Sequence, residues 1–281
     1  MKERAYAKIN LYLRVGEKRL DGYHNLKMLM LPIQFYDLIE LHLHEHDEII
    51  ADHRFIPLNA NNTMYKALDI LRKKYCFKEH FKIIISKRIP IRAGLAGGSA
   101  DAAAIIRMIN KILQLHMKKE DMIKVALEVG SDVPFCLFNK ASIVEGKGEI
   151  LTPIKVNLPF FIFLAKPKEG VSTKEAFMNL RLEDKNNIDI DQLVLSLKMK
   201  NYKQVAKLLV NDLEKSAMRL VPTIESLKKE LINLHFDGVL MSGSGSTVFG
   251  ISQKEEICDY AFKELRKKGY FVRKTRILGE R

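Results

Sequence analysis

The chain has 281 residues, of which 47% are hydrophobic and 29% are charged. This composition supplies enough apolar material for one large domain or two ordinary ones, and it is typical of neither a membrane protein nor a disordered chain. The formal net charge of +13 favours anionic partners such as nucleotides, phosphorylated metabolites or nucleic acid. The lysines are scattered rather than gathered in a basic tail, so we expect no nucleic-acid partner.

Cysteine content and hydropathy bear on the cellular compartment. The three cysteines are odd in number and form no CxxC pair, which suits a reducing cytoplasm. The N-terminal residues alternate apolar and polar side chains and do not resemble a signal peptide. The longest apolar run, Leu158–Ala165, is far shorter than the roughly 20 residues that cross a bilayer. We therefore expect a cytoplasmic protein that does not associate with membranes.

The first half of the chain predicts both strands and helices from the spacing of its apolar residues. In chain order the predictions are a strand at 5–15, a strand-like stretch at 27–43 broken at Pro32 and near Tyr36–Asp37, a helix at 63–75 capped by Asn61 and Asn62, a strand at 81–86, helices at 99–115 and 119–129, a strand following 131–138, and its partner strand at 142–145. Helices and strands therefore alternate here.

The second half continues the same alternation. The predictions are a strand at 160–167, mostly helical structure over 174–234, strands at 237–241 and 247–251, a helix at 254–268 and a closing strand at 270–278. The best position for a domain boundary is near residue 155. We therefore expect an N-terminal domain over residues 1–155 and a C-terminal domain over residues 156–281.

One stretch, PIRAGLAGGSADAAA at residues 90–104, concentrates glycine and alanine just before a predicted helix. Glycine lets another molecule approach the backbone, and the first N–H groups of a helix are unpaired and carry a partial positive charge. Such a loop can bind phosphate, although a tight strand-to-helix turn packed on a sheet would use the same residues. The sequence matches neither GxxxxGK[ST] nor GxGxxG, and the HRD and DFG signatures of protein kinases are missing.

Three other segments place polar residues where chemistry is feasible. Asp132 lies in GSDVPF, after a predicted helix end and before a proline that should keep the chain extended. Lys8 and Asn10 share one face of the first predicted strand. A second glycine-rich segment, MSGSGST, occupies residues 241–247. Each also has an ordinary structural interpretation, namely a capping acid, a lysine pointing to water and a hairpin turn.

Together these segments resemble the GHMP kinase superfamily. PIRAGLAGGSADAA resembles its ATP-phosphate loop and MSGSGST resembles its C-terminal glycine loop. AYAKINLYLRV, DGYH and GSDVPF narrow the resemblance to members with a cytidine-containing substrate. The resemblance implies an α+β, two-domain GHMP kinase fold, with an N-terminal half like domain 2 of ribosomal protein S5 and a ferredoxin-like C-terminal half. Ala96 departs from the pattern, and because its methyl group makes a positive φ costly, we expect it to avoid that conformation.

The resemblance also implies roles for the matching residues. Asp132 would orient the attacking hydroxyl and accept its proton, Lys8 would keep that carboxylate ionised, and Asn10 would add a hydrogen bond to the substrate. The residues expected to bind the cytosine are Tyr23, His24 and, from the segment after GVST, Phe177. The residues expected to bind ATP are Pro90, Ile91, Arg92, Ala93, Gly94, Leu95, Ala96, Gly97, Gly98, Ser99 and Ala100, with Gly243, Ser244 and Gly245 near the phosphates.

The partners that the resemblance implies are small molecules. ATP would be the phosphoryl donor and a cytidylyl methylerythritol the acceptor. Mg²⁺ is expected because the clustered charge of ATP must be neutralised, but its protein ligands cannot be assigned from the sequence. A monomer and a homodimer are both compatible with the sequence.

Two alternative functions remain open at this point. The first is another GHMP kinase that phosphorylates a small alcohol, such as a homoserine or mevalonate kinase, although those families lack DGYH at this position. The second is an RNA-binding protein without enzymatic activity, which the S5-like half and the net charge of +13 make worth testing. It predicts salt-sensitive RNA affinity and no ATP turnover.

Overall fold

The structure is a computed structural model that describes residues 1–52, 57, 59, 61–156 and 158–279. The chain forms two compact units. Unit 1 comprises residues 1–7, 35–91 and 96–139, and unit 2 comprises residues 8–34, 92–95 and 140–281. Both units are discontinuous along the chain, so they do not test the linear domains 1–155 and 156–281, which stay a prediction.

The strands in chain order are β1 (Lys2–Lys18), β2 (His24–His44), β3 (Glu48–Ala51), β4 (His80–Ser86), β5 (Ser142–Gly146), β6 (Ile150–Pro153), β7 (Phe161–Lys166), β8 (Val210–Asn211), β9 (Gly238–Met241), β10 (Val248–Ser252) and β11 (Phe271–Thr275). The α-helices are α1 (Thr63–Tyr75), α2 (Gly97–Ile112), α3 (Lys119–Val129), α4 (Val133–Phe138), α5 (Thr173–Met178), α6 (Ile190–Lys198), α7 (Tyr202–Lys207), α8 (Glu214–Leu220), α9 (Thr223–Asn233) and α10 (Glu255–Lys267). A 3₁₀ helix covers Leu182–Asp184.

Unit 1 combines strands β3 and β4 and the second part of β2 with helices α1 to α4. β3 runs parallel to β4, and β4 runs antiparallel to residues 38–44 of β2. Alternate residues of β4 are buried, as its β-branched sequence predicts. Helix α2 contacts α1, α3 and α4. Its alanines at 102–104 are fully buried, and their small side chains allow this close packing.

Unit 2 contains an antiparallel sheet in the order β11-β7-β10-β9. Helices α9 and α10 contact this sheet, and the central strand β7 contributes fully buried side chains such as Phe163 and Leu164. In the same unit, residues 26–30 of β2 pair with β5, which pairs with β6. The short strand β8 runs parallel to β1, with Asn211 opposite Leu13.

The predicted breaks in the second strand are wrong, because β2 continues through Pro32 and through Tyr36–Asp37. Pro32 lies between the residues of β2 that pair with β5 and those that pair with β4, so its missing N–H costs neither of these pairings. The Asp37 carboxylate accepts the N–H groups of Arg88 and Ile89, at 2.6 and 2.8 Å, so this acidic residue stays within the strand.

Residues 131–138 were expected to stay extended and lead into a strand, and this prediction is also wrong. Residues 133–138 form helix α4, with Pro134 in its first turn. Proline is tolerated there because the first N–H groups of a helix have no intrahelical partner. The sequence analysis also missed β3, β6 and β8, which are only two to four residues long.

Candidate active site

Lys8 and Asn10 lie on one face of β1 in unit 2, and both are buried, with exposures of 2% and 0%. Lys8 Nζ donates a hydrogen bond of 2.7 Å to Asn10 Oδ1, and Asn10 Nδ2 donates to Met28 Sδ at 3.6 Å. Burial of an ammonium group is costly unless polar groups compensate it. The structural interpretation of Lys8 as a lysine that points to water is therefore wrong, and the Asn10 carboxamide is one of the polar groups that stabilise the buried ammonium.

The second glycine loop, residues 242–246, joins the paired strands β9 and β10 and is therefore a hairpin connection. It also contacts the buried lysine. Gly243 has a φ of +55°, and a Cβ atom there would lie 2.9 Å from Gly94 O and 3.0 Å from Lys8 Nζ. Glycine at 243 thus satisfies a left-handed backbone and leaves room for the ammonium group.

Residues 92–95 of the first glycine-rich stretch also belong to unit 2, where they run against the second glycine loop. Ser242 Oγ donates to Gly94 O at 3.0 Å, and the N–H of Thr247 donates to Ala93 O at 3.2 Å. A side chain at Gly94 would collide with the carbonyl of Ser242. This glycine therefore serves close packing of protein backbone, as the tight-turn interpretation predicted, and its role in binding ATP stays a prediction.

The rest of the stretch belongs to unit 1 and forms the start of α2. Ala96 is the N-cap residue, with φ of +56°, and its carbonyl accepts the N–H of Ala100 at 2.8 Å. The expectation that Ala96 avoids a positive φ is therefore wrong. A left-handed alanine costs roughly 1–2 kcal/mol, which the surrounding packing of α2 must offset.

The first turn of α2 offers backbone N–H groups in a closely packed part of unit 1. A Cβ atom at Gly97 would lie 2.9 Å from Ile89 Cγ2 and 3.1 Å from Lys87 Nζ, so glycine is required there. Thr63 Oγ1 donates to Gly98 O at 2.7 Å and ties this turn to α1. No side chain caps the N–H groups at this end of α2 within the described residues. Such a turn, which also includes Ser99, suits an anion.

A buried ionic cluster, Asp37, Lys87 and Asp101, supports this turn. Lys87 Nζ lies 2.5 Å from Asp37 Oδ2 and 2.6 Å from Asp101 Oδ2, and the three side chains are 0–7% exposed. Asp101 Oδ1 has no hydrogen-bond partner among the described residues. Burial, with a smaller contribution from Asp37, raises the pKa of Asp101 to about 7 although Lys87 opposes this. Burial opposes the charge on Lys87 most strongly, but the two carboxylates raise its pKa.

Asp132 lies at the start of α4 in unit 1 and is partly exposed. Its carbonyl oxygen accepts the N–H of Cys136 at 3.2 Å, but its side chain does not cap the helix. Asp132 is therefore the N-cap residue of α4 by position, but its carboxylate does not cap the helix. Its role as a catalytic base stays a prediction.

The three residues expected to bind cytosine belong to unit 2. The rings of His24 and Phe177 stack on each other, with centroids 5.4 Å apart and planes 15° apart. Burial, together with Lys18 and Lys185, lowers the pKa of His24 and favours the neutral imidazole. Tyr23 does not join this stack. Its ring is 54% exposed and faces Lys147 Nζ, which lies 5.4 Å from the ring centroid.

The described residues do not form a metal site on their own. No group of three or more His, Cys, Asp or Glu side chains among them is arranged to hold a metal ion. Mg²⁺ that accompanies ATP needs only one or two protein ligands, because phosphate and water oxygens supply the rest. The hydroxyl of Ser99, in the first turn of α2, fits such a minor contribution.

Sequence reasoning missed the residues that hold the two glycine-rich loops. Asp37, Lys87, Asp101 and Asn211 are not among the site residues that the sequence predicted. A signal for Asp101 was present, since a lone carboxylate among the small residues of GGSADAAA must be buried with them and then needs a cation. No comparable signal marked Asn211, because VNDL continues what seemed to be a helical run.

Two family models match the chain. The GHMP kinases N terminal domain matches residues 62–140, and the GHMP kinases C terminal domain matches residues 193–270. The fold agrees, since the crystal structure of a homoserine kinase from Cytophaga hutchinsonii superposes with a TM-score of 0.73 at 20% identity, covering 97% of this chain and 95% of that one. The chain is a GHMP kinase, and the predicted α+β fold class is confirmed.

Relatives of higher sequence identity place the chain in one particular family of GHMP kinases. The 4-diphosphocytidyl-2-C-methyl-D-erythritol kinase of Geobacillus sp. (strain WCH70) is 39% identical over 280 residues, covering 99% of this chain and 97% of the relative. A crystal structure of 4-(cytidine 5'-diphospho)-2C-methyl-D-erythritol kinase superposes with a TM-score of 0.82 at 28% identity, covering 99% and 100% of the two chains. The chain belongs to the family of 4-diphosphocytidyl-2-C-methyl-D-erythritol kinases, as the sequence motifs indicated.

Proposed function

We propose that the chain transfers the γ-phosphoryl group of ATP to the 2-hydroxyl of 4-diphosphocytidyl-2-C-methyl-D-erythritol, in the non-mevalonate route to isoprenoid precursors. The 39% identity to a relative of that name, over 99% of this chain, supports the substrate. The structural observation that carries the proposal is the buried Lys8, which is bonded to Asn10 and packed against Gly243. Phosphoryl transfer depends mainly on such positioned charge.

The donor side of the reaction is assigned to the start of α2. The backbone N–H groups of residues 97–99 bind the phosphates of ATP, and the helix dipole favours that negative charge. Gly97 and Gly98 let this turn pack closely against Ile89, Lys87 and Thr63, which fixes the position of its N–H groups. Mg²⁺ bound with the nucleotide neutralises phosphate charge, and the Ser99 hydroxyl is its candidate protein ligand.

The acceptor side uses one carboxylate, which acts as the base, and one ammonium group. Asp132 orients the attacking hydroxyl and accepts its proton, a role that suits a partly exposed carboxylate at the start of α4. Lys8 stabilises the negative charge of the transferring group, while Asn10 holds the ammonium in place at 2.7 Å. Both roles are part of the proposal.

The cytosine is assigned to His24 and Phe177. Their stacked rings offer a flat aromatic surface, and the lowered pKa of His24 keeps its imidazole neutral, with one donor and one acceptor nitrogen for the edge of the base. Tyr23, more than half exposed, supplies a further ring. A cytoplasmic location and a small-molecule substrate, without a nucleic-acid partner, complete the proposal, and the oligomeric state is left open.

The test is an ATP-coupled assay of the purified chain with three acceptors in parallel: the cytidylyl substrate, homoserine and mevalonate. We expect turnover only with the cytidylyl substrate. A preference for either small alcohol would contradict the proposed substrate. RNA binding without turnover, measured by filter binding at low and high salt, would favour the non-enzymatic alternative.

The same assay tests Asp132. The Asp132→Asn variant should bind ATP nearly as well as the wild type, because the proposed ATP contacts lie at the start of α2. Its kcat should fall by roughly 10²-fold or more, the scale expected for the loss of a general base. A kcat near that of the wild type would remove Asp132 from the mechanism.

A further inference from the structure

Asn211 occupies a buried position next to the strand that carries Lys8. It is the last residue of β8, is only 4% exposed, and pairs with Leu13 of β1 in a parallel arrangement. Burial of a carboxamide is costly unless every polar atom finds a partner. The partners of Asn211 therefore show what the residue holds.

The carboxamide of Asn211 is fully bonded, and two of its three bonds go to the second glycine loop and its stem. Nδ2 donates to Met241 O and to Gly243 O, both at 2.8 Å, and Oδ1 accepts the N–H of Leu213 at 2.9 Å. Both partners of Nδ2 are carbonyl oxygens, so only a group with two N–H donors satisfies them. An aspartate of the same shape would offer none.

Gly243 connects this carboxamide to the reactive lysine. The Cβ position of Gly243 is 3.0 Å from Lys8 Nζ, so the α-carbon of this glycine forms part of the wall around the ammonium. On the other side of the same residue, its carbonyl is held by Asn211. We propose that Asn211 is a positioning residue for phosphoryl transfer, whose carboxamide fixes Gly243 against the Lys8 ammonium. This inference rests on the proposed function for the reaction it serves.

The residues beside Asn211 hold other segments, which separates its role from that of its neighbours. Asp212 is fully buried, and its carboxylate accepts the N–H groups of Val15 and Asn186, both at 2.9 Å. Neither segment is part of the second glycine loop. Asp212→Asn is therefore a matched control, since it weakens a buried hydrogen-bond network one residue away without changing the contacts of Gly243.

The experiment compares Asn211→Asp, Asn211→Ala and Asp212→Asn with the wild type in the ATP-coupled assay. Asn211→Asp keeps the shape of the side chain but replaces the two N–H donors, which face the carbonyl oxygens of Met241 and Gly243, by an acceptor oxygen. Asn211→Ala removes both hydrogen bonds without adding charge. Because a displacement of about 1 Å at a reacting group costs up to a hundredfold in rate, we expect kcat to fall roughly tenfold to a hundredfold in both Asn211 variants. The KM values for ATP and for the cytidylyl substrate should stay within about threefold, because Asn211 is not among the proposed substrate contacts.

A second measurement does not depend on turnover. The chain is acetylated with a lysine-selective N-hydroxysuccinimide ester, and the rate of modification at Lys8 is followed by peptide mass spectrometry. Lys8 is 2% exposed and should react slowly in the wild type and in Asp212→Asn. It should react faster in both Asn211 variants, because the second glycine loop is no longer fixed against it. Urea unfolding of each variant confirms that the folded protein is being measured.

The outcomes decide between the inference and its alternatives. A loss of kcat with unchanged KM and faster modification of Lys8, confined to the Asn211 variants, supports the positioning role. A kcat within about twofold of the wild type in both Asn211 variants, or an equal loss in Asp212→Asn, overturns it. If the wild type itself does not phosphorylate the cytidylyl substrate, the proposed function fails, and the modification rate of Lys8 alone then supports or overturns the contact.

Discussion

The two glycine-rich loops of this kinase are held by different chemistry. The first turn of α2, in unit 1, rests on Lys87 between two buried carboxylates, Asp37 and Asp101. The second glycine loop, in unit 2, is held by the neutral carboxamide of Asn211, whose nitrogen bonds two carbonyl oxygens. Both anchors are buried, but only the first contains groups that change their charge.

The difference has physical consequences for stability. A buried cluster of two acids and one base is strongly destabilised when one member is removed, because an unpaired charge stays in a medium of low dielectric constant. It also binds protons differently in the folded and unfolded chain, so its contribution depends on pH. A neutral carboxamide with all its bonds made shows neither property. The support of the first turn of α2 should therefore be more sensitive to substitution and to pH than the support of the second glycine loop.

The largest effect is expected from Lys87→Met, which keeps a side chain of similar length but leaves two carboxylates without their cation. The free energy of unfolding should fall by about 3–5 kcal/mol near neutral pH. Denaturant unfolding followed by circular dichroism measures this loss. Adding Asp101→Asn to Lys87→Met should change this loss little near neutral pH, because without Lys87 the pKa of Asp101 rises further and its carboxyl group is already neutral.

Lys73→Met is the control for Lys87→Met. Lys73 forms an exposed ion pair with Asp69 on α1, at 2.7 Å, and such pairs contribute little. This variant should lie within about 0.5 kcal/mol of the wild type. If Lys87→Met were no less stable than Lys73→Met, the ionic cluster would not be what supports the start of α2.

The next effect is a dependence of stability on pH that comes from Asp101. Its pKa is raised from an ordinary value of 3.8 to about 7 in the folded protein. Between these two pH values, Asp101 therefore keeps its proton in the folded chain and releases it in the unfolded chain. The contribution of Asp101 to the free energy of unfolding is largest below pH 3.8, falls as the pH rises, and is lost by about pH 7.

The variant that isolates this contribution is Asp101→Asn. The stability of the wild type relative to Asp101→Asn should decrease by a few kcal/mol between about pH 4 and about pH 8, since each pKa unit is worth about 1.4 kcal/mol. The same difference for Asn211→Ala should not change with pH, because a carboxamide does not titrate. If the stability differences of the two variants from the wild type changed with pH in the same way, the proposed distinction between an ionic and a neutral support would be wrong.

A smaller effect on stability, but a specific one on catalysis, is expected from Gly243→Ala. Gly243 and Gly269 both have positive φ values, +55° and +81°. An alanine at 269 should cost about 1–2 kcal/mol of unfolding free energy, and one at 243 should cost more, because its Cβ atom would also lie 2.9 Å from Gly94 O. A Cβ atom at 269 meets nothing within 4 Å, whereas one at 243 lies 3.0 Å from Lys8 Nζ. Only Gly243→Ala should lower kcat, by roughly tenfold or more.

Kinetic assays and urea unfolding of the two alanine variants give this comparison directly. A lowered kcat in Gly243→Ala under conditions in which urea unfolding shows both variants to be fully folded, with Gly269→Ala near the wild-type kcat, would locate the effect near Lys8. Gly269→Ala with the same loss of kcat would instead mean that general destabilisation lowers the rate, and the contact between the second glycine loop and Lys8 would lose its importance.

The sequence predicted the long periodic elements well, because their apolar spacing determines which face is buried. The strand that became β1 and the helix that became α1, with its Asn62 cap, are examples. The predictions at Pro32 and Pro134 were wrong, because a proline disrupts a strand or a helix only where its N–H is needed or an earlier helical turn is present. Pro32 lies where the pairing of β2 needs no N–H, and Pro134 lies where no earlier helical turn is present. Both circumstances depend on strand pairing and on position within the helix rather than on local sequence.

The candidate site was also only partly predictable from local sequence. The motifs predicted Lys8, Asn10 and the two glycine-rich segments as parts of the site, since their residue types and order are distinctive, and their roles stay a proposal. The structure then added what motifs do not contain, namely the burial of Lys8 and the residues that support each loop. Lys87 reaches Asp37 across 50 residues, and Asn211 reaches Gly243 across 32. Such partners follow from tertiary packing, which one sequence without relatives does not reveal.

The smallest effect concerns backbone strain, in which the two loops also differ. In the second glycine loop the residues with positive φ are glycines, Gly243 and Gly245, but at the start of α2 the residue is Ala96, with φ of +56°. Ala96→Gly should therefore raise the free energy of unfolding by about 1 kcal/mol, because glycine adopts this conformation without the penalty of a Cβ atom. Ala102→Gly, in the interior of the same helix, should lower it by about 1 kcal/mol or more. Urea unfolding of the pair should give opposite signs, and a loss of stability in both would mean that the left-handed conformation at Ala96 carries no strain to relieve.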